Sequence, residues 1–237
     1  MRSTHLTPLV TLTTLFAFIG SSVAGSPDPK AVKGVINVHD PSMIKKGNTY
    51  YVYTTGGDIG MRTSTDRINW VYAGKAVPWW GTTDLWAPDI SLHNDTYWLL
   101  YAHPTANTLR TAEIYLATST SLESGSYTDK GIVIASTESS PYNCIDPSAI
   151  QDYEGNWWIN FGSWSGGIDL DSRLPIVLIN FSIYIFRVDS NGKRISDPKK
   201  IAERPSTALE GSTIFKHANK YYLFMSFGNC CPTTTGV

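Results

Sequence analysis

The chain is poor in cysteine, in charge and in long apolar runs. Three Cys in 237 residues cannot staple a fold of this length, which excludes a small disulfide scaffold. Charged residues make up only 16%, and 19 Lys and Arg face 20 Asp and Glu, for a net charge of −1. There is no bulk basic field to hold a phosphate backbone, so no nucleic-acid partner is expected. Hydrophobic residues at 42% are too many for a disordered chain. Beyond the N-terminal segment no apolar run is long enough to cross a bilayer, so no membrane partner is expected either. Long amphipathic helical patterns are scarce as well. No H-E-x-x-H metal motif and no nucleophile-elbow serine motif appears.

The N-terminus reads as a segment apart. Arg2 and His5 make a weakly basic start, Leu6 to Ile19 is apolar and Thr-rich, and Ser22-Val23-Ala24 offers small residues before a cleavage point. Residues 1–24 are expected to be a secretory signal peptide and the protein to be extracellular, with residues 25–237 as one domain. Two glycosylation sequons, Asn94-Asp95-Thr96 and Asn180-Phe181-Ser182, agree with secretion and predict a glycoprotein. Cys144, Cys230 and Cys231 leave at least one thiol unpaired, and no pairing is assigned.

What is abundant is aromatic: 13 Tyr and 8 Trp against 8 Phe. These side chains have an apolar face and a polar handle, which suits a β core and also stacking on a sugar ring. Much of this content falls in a repeat. Asp40-Pro41-Ser42-Met43-Ile44 leads through a polar turn to Tyr50-Tyr51-Val52-Tyr53. Ala87-Pro88-Asp89-Ile90 leads to Tyr97-Trp98-Leu99-Leu100-Tyr101, Asp146-Pro147-Ser148-Ala149-Ile150 to Trp157-Trp158-Ile159-Asn160-Phe161, and Glu210-Gly211-Ser212-Thr213-Ile214 to Tyr221-Tyr222-Leu223-Phe224-Met225. Each unit predicts a β-hairpin. The units begin at 40, 87, 146 and 210, so their spacings are 47, 59 and 64. Repeats of about 40–50 residues, each holding one antiparallel sheet, predict an all-β chain folded as a β-propeller. The long third spacing singles out Asp169 to Ile183 as an expected insertion, because removing those 15 residues brings 64 down to 49; a genuine strand is the open alternative.

In a propeller the innermost strands begin near the axis, so Asp40, Asp146 and Glu210 are expected to converge at one mouth of the channel, with Ala87 and Trp86 at the equivalent place in the second unit. Asp-Pro dipeptides alone are a poor signal: Asp28 and Asp197 also precede Pro and read as turn formers. Three acids on apolar walls raise one another's pKa through desolvation and like-charge repulsion. That is costly unless it serves chemistry, and a pair of carboxyls in different protonation states is what glycoside hydrolysis requires.

The motifs Val38-His39-Asp40-Pro41-Ser42, Leu85-Trp86-Ala87-Pro88-Asp89-Ile90, Asn143-Cys144-Ile145-Asp146-Pro147-Ser148, Phe161-Gly162-Ser163-Trp164-Ser165-Gly166-Gly167-Ile168 and Leu209-Glu210-Gly211-Ser212 together resemble the secreted, arabinan-cleaving enzymes of glycoside hydrolase family 43. The resemblance implies a five-bladed β-propeller that hydrolyses internal α-1,5-arabinofuranosidic bonds with inversion, acting on arabinan or arabino-oligosaccharides as a monomer. It implies that Asp40 is the general base, Glu210 the general acid, and Asp146 the residue that tunes and orients that acid. It implies substrate contacts at Trp86, Asn143, Ser163 and Trp164; packing within a blade is an equally open reading for the two Trp. No cofactor is implied for the chemistry. A structural ion at the axis is implied, with a family His that lies beyond this chain, and the last blade is expected to be incomplete. Exo-acting arabinofuranosidase or xylosidase action, and a non-catalytic carbohydrate-binding propeller fragment, stay open as alternatives.

Overall fold

The computed structural model describes residues 31–82, 84–105, 111–163, 180–205 and 208–228. Among them every regular element is a β-strand, and no helix is long and apolar enough to cross a membrane. The four predicted hairpins are all present. The first pairs β2 (Ser42–Lys46) with β3 (Thr49–Thr54), and completes its sheet with β4 (Gly60–Ser64), β5 (Asn69–Lys75) and the short parallel strand β1 (Lys33–Gly34). The second sheet runs β6 (Trp86–His93), β7 (Thr96–Pro104), β8 (Ala112–Ser119), β9 (Thr128–Ala135). The third runs β10 (Ile145–Gln151), β11 (Trp157–Gly162), β12 (Asn180–Val188), β13 (Lys199–Pro205). The fourth is the hairpin β14 (Leu209–His217) and β15 (Lys220–Phe227). These are propeller blades in sequence order, with β2, β6, β10 and β14 neighbouring one another in turn. Four of the five expected blades are thus present among the described residues, the fourth as a hairpin.

Strand periodicity explains why the aromatic runs are apolar on both faces. On β7, Tyr97, Leu99 and Tyr101 enter the core shared with the first blade, together with Tyr53, Ile59 and Met61. The alternate residues Trp98 and Leu100 enter the core shared with the third blade, together with Ile159, Phe161 and Phe186. The turn between β6 and β7 is two residues long. Asn94 and Asp95 both take positive φ (45° and 63°), as a twisted two-residue hairpin demands.

Side chains also stitch the innermost strands to one another. Ser42 Oγ accepts from Ile90 N at 3.1 Å, Asp89 Oδ2 accepts from Ala149 N at 2.9 Å, and Ser148 Oγ lies 3.2 Å from Thr213 Oγ1. Ser42, Asp89 and Ser148 hold the same position in successive repeats, so one residue per blade satisfies a polar group of the next.

One expectation is corrected. The last four residues of the segment expected as an insertion, Asn180 to Ile183, open β12 and pair with Pro205, Arg204, Glu203 and Ala202 of β13. Ile183 is fully buried, so these residues are part of the third blade. Residues 169–179 lie outside the described residues.

Candidate active site

The inner strands all start at the same end of the fold, and each carries a β-bulge there. In the third blade Ile145 pairs with Gly162 and Ser148 with Asn160, which leaves Asp146 and Pro147 opposite Phe161 alone. The second blade repeats this with Ala87 and Pro88, between the pairs Trp86–Ala102 and Asp89–Leu100. In the first, Thr55 N bonds His39 O at 3.0 Å and Ser42 pairs with Tyr53, so Asp40 and Pro41 form the bulge. Asp40, Ala87 and Asp146 all sit in the left-handed region, at φ 46°, 44° and 51°. In the fourth blade the bulge is shifted by one residue, between Glu210 and Thr213, and Gly211 takes the positive φ of 58°. Such a conformation costs a non-glycine residue about 1–3 kcal/mol, and it turns the side chain out of the regular alternation. In the first three blades the bulge is therefore the device that turns one residue, Asp40, Ala87 or Asp146, out at the channel mouth; Glu210 instead pairs with Ser226 immediately before its bulge, one place earlier than the repeat predicts.

Their environments differ. Asp40 is the most open, with its side chain 40% exposed; Thr55 Oγ1 donates to its Oδ2 at 2.7 Å and His39 Nδ1 lies 3.2 Å from the same oxygen. Asp146 is half-buried. Desolvation pushes its pKa up to about 6 and the charge of Asp40 adds to this, against the Gly211 amide that donates to Oδ2 at 2.8 Å. Glu210, also half-buried, is pushed up to about 7, first by desolvation and then by the negative charges of Asp146 and Asp40. The three acids are close enough to feel one another, as the repeat predicts, and the one with the highest pKa is Glu210.

Close backbone approach fixes Glu210 against the third blade. Gly162 ends β11, and a Cβ built there would lie 3.1 Å from Glu210 Cα and 3.3 Å from Ile183 Cδ1. Asn160 Nδ2 donates to both the carbonyl and the hydroxyl of Ser212 at 2.8 Å, two residues past Glu210. Sequence reasoning missed Thr55, Asn160 and Gly162. A signal existed for two of them: Thr55, Ala102 and Gly162 fall at one repeat position, all small, where each aromatic strand runs into the mouth.

The remaining expected site residues are placed differently from the acids. Trp86 is partly buried and packs on Ala102, Ala112 and Ile145. Asn143 is fully buried, taking a hydrogen bond from Ser136 Oγ at 3.1 Å, and Ser163 is only 2% exposed and bridges to Leu209. Both are built into the wall behind the acids and not onto its surface. Trp164 lies outside the described residues. Among the described residues no three His, Cys, Asp or Glu side chains cluster so as to hold a metal. Asp89, the one acid of the stitched ring, commits Oδ2 to the Ala149 amide, so these residues alone do not make up a ligand set for the axial ion that the resemblance implies. Cys144 is a buried free thiol, its pKa pushed up to about 12 chiefly by desolvation.

Residues 34–237 match the model of glycosyl hydrolases family 43. The chain belongs to this family. It is 35% identical over 227 residues to the probable arabinan endo-1,5-alpha-L-arabinosidase A of Aspergillus flavus, covering 90% of this chain and 65% of that one. It is 36% identical over 226 residues to the extracellular endo-alpha-(1->5)-L-arabinanase 1 of Bacillus subtilis, covering 88% and 65%. The chain thus spans about 65% of the length of these relatives. Among solved structures it resembles the family 43 endo-arabinanase of Bacillus licheniformis with a TM-score of 0.72 at 35% identity, covering 85% of this chain and 69% of the other. It also resembles the Cellvibrio cellulosa alpha-L-arabinanase complexed with arabinohexaose, with a TM-score of 0.66 at 28% identity, covering 83% and 67%. The family 43 propeller is the fold described above.

Proposed function

We propose that this family 43 propeller hydrolyses internal α-1,5-arabinofuranosidic bonds of arabinan with inversion. The observation that carries the reading is the elevation of Glu210 to about 7 beside two other acids, which keeps a proton on it near neutral pH. In the step, the Asp40 carboxylate takes a proton from water as the water oxygen bonds to the anomeric carbon. Glu210 gives its proton to the glycosidic oxygen as the carbon–oxygen bond breaks. Solvent then returns both groups to their starting states. Asp146 sits between these roles: its charge raises the acid's pKa, and its carboxylate holds the amide next to Glu210. Two relatives named for endo action on this linkage support the choice of substrate. The name of the Bacillus subtilis relative, extracellular, supports residues 1–24 as a leader that is removed on secretion. Asn94, exposed on the β6–β7 turn, is an accessible glycan acceptor.

The test is incubation of the purified protein with linear arabinan. Short arabino-oligosaccharides are the expected early products, and Asp40→Ala and Glu210→Ala are each expected to lower the rate by about 10²–10⁴-fold or more. Full activity in either variant overturns the assignment. Release of single arabinose units from the start, with no oligosaccharides, would make the enzyme exo-acting.

A further inference from the structure

We infer that Thr55 is the positioning residue for the general base: its hydroxyl, oriented by the backbone amide of Ala87 in the next blade, holds the Asp40 carboxylate in one rotamer with one oxygen left for water. This rests on the reading of Asp40 as base. Thr55 Oγ1 accepts from Ala87 N at 2.8 Å and donates to Asp40 Oδ2 at 2.7 Å. Because the Ala87 N–H occupies a lone pair, the single hydroxyl proton is directed at the carboxylate. His39 Nδ1 approaches the same oxygen at 3.2 Å. Among the described residues, every contact of this carboxylate therefore falls on Oδ2, and Oδ1 is the oxygen that can meet a nucleophilic water.

Comparison between blades shows that the hydroxyl is not a packing requirement. The same repeat position is Ala102 in the second blade and Gly162 in the third. What the position demands is smallness, because the bulge of the following blade packs on it, as Gly162 shows against Glu210. The first blade carries a hydroxyl there, as the fourth does in Ser226, and the first blade is where the bulge residue is an open carboxylate, 40% exposed. The neighbour Thr54 reinforces the frame: its Oγ1 donates to His39 O at 2.7 Å and accepts from His39 N at 2.8 Å, clamping the residue before the base. A left-handed backbone at Asp40, a clamped His39 and a directed hydroxyl leave the carboxylate little freedom. Positioning of this kind acts on the rate more than on substrate binding.

The experiment compares Thr55→Val, which keeps the branched shape and removes the hydroxyl, with Thr55→Ser, which keeps the hydroxyl. On linear arabinan, Thr55→Val is expected to lose about 10–100-fold in kcat with KM changed less than about twofold, and Thr55→Ser to recover most of the rate. Crystal structures of both variants give a readout that needs no activity: the Asp40 carboxylate should leave its rotamer in the valine variant and keep it in the serine variant. An unmoved Asp40 in Thr55→Val, a rise in KM with kcat intact, or a serine variant no better than valine overturns the inference. A wild-type protein inactive on arabinan would instead sink the functional reading, and the crystallographic comparison would still decide whether Thr55 positions Asp40.

Discussion

Glu210 is a carboxylic acid made weaker by burial and by its charged neighbours, and each cause can be removed separately. Burial of the carboxyl is the largest; the charges of Asp146 and Asp40 follow. Since the acid must be protonated to work, activity is expected to fall as pH rises through about 7. Asp146→Asn keeps the size of the side chain and removes its charge. The Glu210 pKa should then drop, and the alkaline limb of the pH–rate profile should move to lower pH. A limb that stays in place would show that Asp146 exerts no charge effect on the acid. The same logic explains why the acids can be singled out from sequence while the setting of Asn143 and Ser163 cannot. Asp40 and Asp146 stand at one repeat position and Glu210 one place before it, at the head of its unit, which is countable. Asn143 and Ser163 sit beside these motifs, but their burial depends on how the wall behind the acids packs, which no spacing reveals.

At the scale of the element, the bulge and the small residue facing it work as a unit. The bulge aims a side chain at the mouth, and the small residue lets the next blade come near enough for its bulge to join. Gly162 shows the tightest form of this contact, with Glu210 Cα 3.1 Å from where a Cβ would be. Gly162→Ala is expected to destabilise by about 1–3 kcal/mol, because backbone and not a flexible side chain must give way. It should also lower kcat by shifting Glu210. Denaturant midpoints and initial rates on arabinan check both, and a variant matching wild type in each would mean that the fourth hairpin moves aside freely. Hairpins were legible because alternation and turn residues are local. The start of β12 is not legible in this way, since Asn180 to Ile183 owe their place in the sheet to pairing with β13, some twenty residues further along the chain.

At the scale of the whole molecule, the blades are held by shared cores and by polar contacts that only the assembled blades create. His93 is sandwiched between Trp98 and Trp157 at the junction of the second and third blades, with ring centroids 3.8 and 3.4 Å away. Burial pushes its pKa down to about 3. An imidazole that is neutral in the fold and free to protonate when unfolded adds stability fully above its ordinary pKa of about 6.5. That stability is lost as pH falls from about 6.5 towards 3. Urea midpoints at pH 7 and pH 4.5 should therefore differ, and His93→Phe should shrink the difference. An unchanged difference would place the acid sensitivity elsewhere.

The sequence by itself determined the period: four hairpins with paired aromatic strands, and three acids at the head of them. These follow from local chemistry, because strand alternation and turn residues act over a few positions and are written in order along the chain. Tertiary structure decided what the acids can do. Sixty-odd residues of chain separate Asp146 from Glu210, yet the charge of one raises the pKa of the other. A threonine from the end of one strand was joined to a carboxylate and to the amide of the next blade. Such contacts arise only when blades close around a common axis, since desolvation and Coulomb interaction depend on distance through space and not on distance along the chain.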